Sequence, residues 1–177
     1  MTKTKSIIIV DENNHEIAVK SPAEFDYTRD IYRVSVLWVM NGGGQVLMQQ
    51  RNLQMRNEPG LWGPSTAGTV EGGETYLQNV IKEAAEEIGL TNVEFKPIFQ
   101  YHHHERRNYF AQDYLAVVDQ PIEFFSQETG EVNALKWVDL DWLKDDVVAN
   151  PDNYVPSMCQ TVEKLVEYLE NQTKEAK

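Results

Sequence analysis

The sequence predicts an α/β fold: a β-rich chain carrying one strong internal helix and one closing helix. Three observations support this. Short runs rich in Val, Ile, Tyr and Trp recur between turn residues along most of the chain. Residues 75–88 repeat apolar side chains at helical spacing between a capping signal and a glycine stop. From Ser157 onward the same spacing returns and runs to Leu169.

Taken in order, strands are expected at residues 6–10 and 15–20, joined by the polar turn Asp11-Glu12-Asn13-Asn14. Residues 31–40 and 45–50 read as two more, separated by Asn41-Gly42-Gly43-Gly44. A phosphate-cradling glycine loop needs Gly-Lys-Ser/Thr ahead of a helix. None follows here, so the glycines read as a hairpin turn. Residues 61–70 hold turn chemistry and a small strand. In the helix at 75–88, Thr75 and Gln78 have capping-box spacing, and Gly89 is placed to end the helix in a left-handed conformation. At about 100° per residue, Leu77, Val80, Ile81, Ala84 and Ile88 form the expected core-facing stripe.

Residues 93–104 and 108–118 read as a long hairpin with Glu105-Arg106-Arg107 near its bend. A late strand at 132–138 and a short helix at 141–148 follow, and then Pro151 and Pro156 interrupt the pattern. Ser157 and Gln160 have capping-box spacing at the start of the closing helix. Its stripe of Met158, Val162, Leu165, Val166 and Leu169 fits either a core or a homodimer interface.

The chain has 177 residues, the length of one domain, taken as 1–177. Its formal net charge of -12 argues against nucleic acid or an anionic membrane as partner, since both attract basic surfaces. An acidic protein that binds a phosphate compound must do so through metal cations or a few local Arg and Lys. The single cysteine, Cys159, excludes an internal disulfide and any Cys-based zinc cluster. No run approaches 18 apolar residues, and residues 1–10 are too short and too polar for a signal segment. A cytoplasmic setting is the expectation.

The informative segment runs from Gly68 to Leu90. Glu83, Glu86 and Glu87 are spaced i, i+3, i+4 and share one helical face, apart from the apolar stripe. Like charges so placed repel by roughly 0.2–0.5 kcal/mol per pair. Hard divalent cations favour such clustered carboxylate oxygens. A solvated acidic face would explain the glutamates alone, but not the Gly68-Thr69-Val70-Glu71-Gly72-Gly73-Glu74 segment leading into them.

This segment resembles the Nudix box, G-x5-E-x7-R-E-U-x-E-E-x-G-U, with U a bulky aliphatic residue. Gly68, Glu74, Glu83, Glu86, Glu87, Gly89 and Leu90 match, while Lys82 replaces the arginine and Ala84 is a small U. Ile9-Val10-Asp11-Glu12, Val34-Ser35-Val36, Pro59-Gly60-Leu61-Trp62 and Lys136-Trp137-Val138 extend the likeness toward the branch that includes isopentenyl-diphosphate isomerase.

The resemblance implies an α/β/α sandwich with a mixed sheet. It also implies Mg²⁺ or Mn²⁺ held by Glu83, Glu86, Glu87 and the carbonyl of Ala67. The implied activity is hydrolysis of a nucleoside diphosphate linked to another moiety, or of a related small-molecule diphosphate. Glu83 is then either a ligand or the group that takes the water's proton. Gly68, Glu74 and Lys82 shape the loop. Lysine keeps the arginine's charge but loses its planar fork, and Lys82→Arg is expected to leave activity equal or higher. Glu131 is the candidate general base, with Glu128 its competitor.

Arg51 and Arg56 are the candidate phosphate contacts, with Arg106 and Arg107 as further cations. Trp38, Tyr101 and Tyr109 are among the aromatic residues open to substrate recognition. In a strand, His102 and His104 share a face and His103 points away, which suits substrate contact better than a metal site. Isomerase activity is disfavoured. Alignment on Leu61-Trp62 puts Ala67 where that enzyme's cysteine belongs, and Thr69 and Tyr32 where metal-binding histidines are expected. The remaining alternative is a ligand sensor built on a weakened enzyme.

Overall fold

A computed structural model describes residues 6–105, 107–127 and 130–175 of the protein. Residues 1–5, Arg106 and Glu128 lie outside them. Strands β1 (Ile7–Val10) and β2 (Glu16–Lys20) form the expected antiparallel hairpin. The Asp11 carboxylate sets its turn, accepting from the N–H groups of Asn13 and His15 at 2.8 and 2.9 Å.

Strands β3 (Ile31–Met40) and β4 (Gln45–Arg51) are also joined as predicted. Asn41 accepts from the N–H groups of Gly43 and Gln45, and Gly44 takes a φ of 80°. Past Met40↔Val46 the two strands part. The short strands β5 (Trp62–Gly63) and β6 (Thr66–Thr69) pair with β4 and β3 respectively. Strands β7 (Lys96–His104) and β8 (Asn108–Val117) make the long hairpin, and β8 lies parallel to β3 from Tyr32↔Tyr109 to Met40↔Val117. Strand β9 (Val132–Asp139) runs antiparallel to β4. One parallel pairing among antiparallel ones makes the sheet mixed, as expected.

Helix α1 (Tyr76–Ile88) covers one face of the sheet, with Val80, Ala84 and Ile88 packed on Leu37, Val39, Leu47 and Tyr114. Helices α2 (Leu140–Ala149) and α3 (Met158–Glu175) cover the other, where Leu143, Val147, Val162 and Leu165 meet Trp38, Met40, Val46 and Met48. With both faces covered, β3 is buried continuously from Ser35 to Met40. Each fully buried Val, Leu or Ile contributes roughly 1.5–3 kcal/mol. The architecture is the expected α/β/α sandwich. Among the described residues no helix is long and apolar enough to cross a membrane.

Both boundaries of α1 follow the sequence. Thr75 and Gln78 exchange side-chain-to-backbone hydrogen bonds at 2.9 and 3.2 Å, and Gly89 closes the helix at φ 67°. Its orientation differs from the expectation. Leu77 and Ile81 are 43% and 45% exposed, while Asn79 and Glu87 are buried. Polar partners on β3, β4 and β6 draw Asn79 and Glu87 inward and roll the helix away from its purely apolar direction. The α3 stripe is used within this chain's own core: Met158, Val162 and Leu165 are buried, and Val166 and Leu169 pack beside them. Helix α2 starts one residue earlier than predicted because Asp139 caps it, accepting from the N–H groups of Asp141 and Trp142.

Candidate active site

Strand β6, the loop from Val70 to Glu74 and helix α1 form one continuous wall. Gly68 is required by contact. A methyl group there would lie 2.4 Å from Glu83 Cγ and 2.7 Å from Oε1, so Glu83 rests directly on the backbone of β6. Lys82 Nζ reaches Glu71 Oε1 at 3.1 Å, Glu74 Oε1 at 3.2 Å and Glu83 Oε1 at 3.6 Å. Burial tends to raise the Glu74 carboxyl, but hydrogen bonds from Asn79 and Lys82 hold it below the usual range. Burial likewise opposes the charge on Lys82, yet its carboxylate partners push its pKa up. Lys82 and Glu74 thus form an ion pair between the helix and the loop.

Glu87 is 6% exposed and points under the wall. Its Oε2 accepts from Gln49 Nε2 at 2.8 Å and from the Thr66 hydroxyl. Burial pushes its pKa up to about 7 against those two hydrogen bonds, and the charges of Glu83 and Glu131 add to the rise. A cation beside it would favour the ionised form. Glu86 is exposed at the end of the wall.

Glu71, Glu83, Glu86, Glu87 and Gln49 line a cavity of about 670 Å³ with Ala67, Gly68 and Thr69. Val34 and Val36 of β3 also contribute to the lining. Glu131, just before β9, also reaches it, as do Arg51, Tyr32, Tyr101, His103, Arg107 and Tyr109. Arg107 bonds Glu58 Oε1 at 3.1 Å and lies 5.3 Å from the centre of the Tyr27 ring. His103, 5% exposed, stacks on Tyr109 with ring centres 4.8 Å apart.

The expected sites therefore come together with some corrections. Glu83, Glu86, Glu87, Ala67 and Glu131 share one cavity, but the three helix glutamates do not present one compact cluster. Among the described residues no three His, Cys, Asp or Glu side chains converge on a ready-made metal position. The physical reason lies in their partners: Lys82 and Asn79 draw Glu83 one way, and Thr66 and Gln49 draw Glu87 another. Their chemistry still fits a hard divalent cation, since every donor on this wall is oxygen.

Arg51 lines the cavity, whereas Arg56 is exposed on the following loop and does not. Tyr101 and Tyr109 line it, but Trp38 is buried elsewhere, donating to Asp113 at 2.8 Å. His102 and His104 share a face, their rings 5.3 Å apart, while His103 enters the cavity. Gln49, Thr66, Asn79, Tyr27 and Glu58 went unremarked in the sequence. A polar Asn inside the helix stripe was the one available signal.

The fold is thus an α/β/α sandwich in which one face of a helix turns acidic side chains toward a cavity. The chain belongs to the Nudix family: the NUDIX domain matches residues 30–158. It is 28% identical over 149 residues to an uncharacterized Nudix hydrolase of Yersinia pestis, covering 84% of this chain and 78% of that one. It is 25% identical over 158 residues to a prenyl-diphosphate phosphatase of Methanosarcina mazei, covering 88% and 92%. A crystal structure of a Deinococcus radiodurans protein superposes with a TM-score of 0.79 at 18% identity, covering 90% of this chain and 98% of that one.

Proposed function

We propose that this chain is a Mg²⁺- or Mn²⁺-dependent pyrophosphohydrolase that cleaves the diphosphate bond of a small organic molecule by water attack. The observation that carries this is the meeting of Glu83, Glu86, Glu87, Ala67 and Glu131 around one cavity in a Nudix domain. The three helix glutamates and the Ala67 carbonyl would hold the cation, which screens the diphosphate charge and acidifies the attacking water. Gly68 seats Glu83, and Thr66 and Gln49 orient Glu87. Glu131 stands ready to take the water's proton on its carboxylate, with Glu83 as the competing acceptor. Arg51 supplies positive charge to the phosphates. The aromatic wall of Tyr32, Tyr101 and Tyr109 receives the organic body.

Ala67, Thr69 and Tyr32, the positions aligned with isomerase residues, all line this cavity, and none carries a thiol or imidazole. The Cys159 thiol instead donates to the Val147 carbonyl at 3.0 Å. This favours hydrolysis over isomerisation.

The test is a panel of nucleoside diphosphate sugars, dinucleoside polyphosphates, nucleoside triphosphates, coenzyme derivatives and isoprenoid diphosphates, assayed with Mg²⁺ or Mn²⁺ and with product identification. Glu87→Gln should abolish metal-dependent turnover of any hit while the protein stays folded. Tight nucleotide binding with no turnover across the panel would favour the sensor instead, and double-bond migration of isopentenyl diphosphate would restore the isomerase.

A further inference from the structure

We propose that Asn79 and Lys82 jointly perform the positioning that the Nudix box assigns to one arginine. Asn79 lies in the stretch of the box that specifies no residue, so the motif gives it no task. It is nonetheless fully buried. An asparagine inside a helix is a poor helix former, and burying its amide costs more unless both ends are hydrogen-bonded. Here both ends are. Its Oδ1 accepts from the Ser35 hydroxyl on β3 at 2.5 Å. Its Nδ2 faces the Thr69 carbonyl at 3.2 Å, Glu74 Oε2 at 3.1 Å and Glu83 Oε1 at 3.2 Å.

Lys82 reaches the same two carboxylates from its own position, at 3.2 Å to Glu74 Oε1 and 3.6 Å to Glu83 Oε1. A guanidinium could span both with a rigid fork of N–H groups, whereas an ammonium is a point charge with freely rotating donors. In this chain the ammonium supplies the charge and the amide supplies the direction. Acceptor-only partners fix which way the amide faces: the Thr69 carbonyl and the Glu74 and Glu83 carboxylates require its NH₂ group, which leaves Oδ1 to be anchored by the Ser35 hydroxyl. The clamp therefore runs from the central strand through Asn79 to the glutamate resting on Gly68.

This inference rests on the metal-dependent reading above. Its test is a double-mutant cycle: Asn79→Ala made in the wild-type chain and in a chain carrying Lys82→Arg. Three quantities are measured for each protein: Mn²⁺ affinity by electron paramagnetic resonance, kcat/KM on the best panel substrate, and melting temperature. With Lys82 present, Asn79→Ala should weaken Mn²⁺ binding by about 10-fold or more, the usual scale for losing a group that orients a metal ligand. Combined with Lys82→Arg, the same change should cost under about 3-fold, because the guanidinium replaces the missing N–H contacts.

Ser35→Ala keeps the amide but removes the hydroxyl that anchors its Oδ1, and should show a smaller loss with the same rescue. It decides the matter if Asn79→Ala fails to fold. Equal losses in both backgrounds, or no loss in either, would overturn the proposal while leaving the hydrolase intact. A wild-type chain that neither binds Mn²⁺ nor turns over any substrate would overturn the metal-dependent reading, and this proposal with it.

Discussion

Asp113, in the middle of β8, is completely buried. Trp38 Nε1 donates to its Oδ2 at 2.8 Å, and among the described residues its Oδ1 is buried with no hydrogen-bond partner. Burial pushes this carboxyl from 3.8 up to about 8, against the pull of the Trp38 hydrogen bond. The sign of the consequence is fixed. Below about pH 4 the group is protonated in both folded and unfolded chains and costs nothing. Between about pH 4 and pH 8 the unfolded chain releases the proton and the folded chain keeps it, so stability falls by about 1.4 kcal/mol per pH unit. Above about pH 8 the penalty is constant.

From pH 5 to pH 8 this single group should therefore remove about 4 kcal/mol, a large share of the 5–15 kcal/mol typical of a domain. Asp113→Asn preserves the shape and removes the titration. Its amide oxygen can accept from Trp38, while its NH₂ takes the unpartnered place at a roughly constant cost of about 1–3 kcal/mol. The informative quantity is thus the slope with pH, not the offset. Urea unfolding of both proteins from pH 5 to pH 9 should show the difference moving toward Asn by about 4 kcal/mol and then levelling. Other titrating groups cancel in the comparison. A difference that stays flat across this range would refute the reasoning.

Gly68→Ala would drive a methyl group into Glu83. Steady-state kinetics should show at least about a 10-fold loss of metal-dependent turnover, and overpacking should cost about 1–3 kcal/mol in a melt. Arg107→Ala removes the contacts to Glu58 and Tyr27 at the cavity wall. We expect KM to rise while kcat changes little, with a stability loss under about 1 kcal/mol because the ion pair is partly exposed. Thr75→Ala deletes the hydroxyl side of the α1 capping box and should cost about 1 kcal/mol in chemical denaturation, leaving KM unchanged.

Local rules made α1 legible from Thr75 to Gly89, and the spaced acidic pattern located the wall of the cavity. The roll of that helix was not legible. Apolar spacing points Leu77 and Ile81 inward, but the direction is decided by Ser35, Gln49 and Thr66, which are distant in sequence and signal nothing by spacing. Within the aromatic wall, Tyr101 and Tyr109 were nameable as aromatic candidates, but their company was not: the parallel β3–β8 register sets Tyr32 beside Tyr109, and the antiparallel β7–β8 register sets His103 there. Proximity to Trp62 could not separate Arg51 from Arg56. The chain turns at Asn52, where Met55 N–H bonds the Asn52 carbonyl at 3.1 Å, and the loop brings Met55, Asn57 and Glu58 to the cavity while Arg56 among them is exposed. Glu131 came from the resemblance, as the carboxylate just before a late strand, and its backbone is pinned there by the Asn52 N–H, which bonds its carbonyl at 2.8 Å.

The pairing of β3 with β8 and of β4 with β9 joins residues such as Leu37 to Tyr114 and Gln49 to Leu135. Closing such long loops costs entropy before any contact repays it, so the chain should be a slow folder. During synthesis Trp38, Val39 and Leu47 leave the ribosome long before the segments that shelter them, and this greasy ribbon is the place where aggregation competes. Arg51 and Glu131 border the same cavity only after the last strand has docked. Recovery of catalysis after denaturation should therefore track completion of the whole sheet, with no active partial fold along the way.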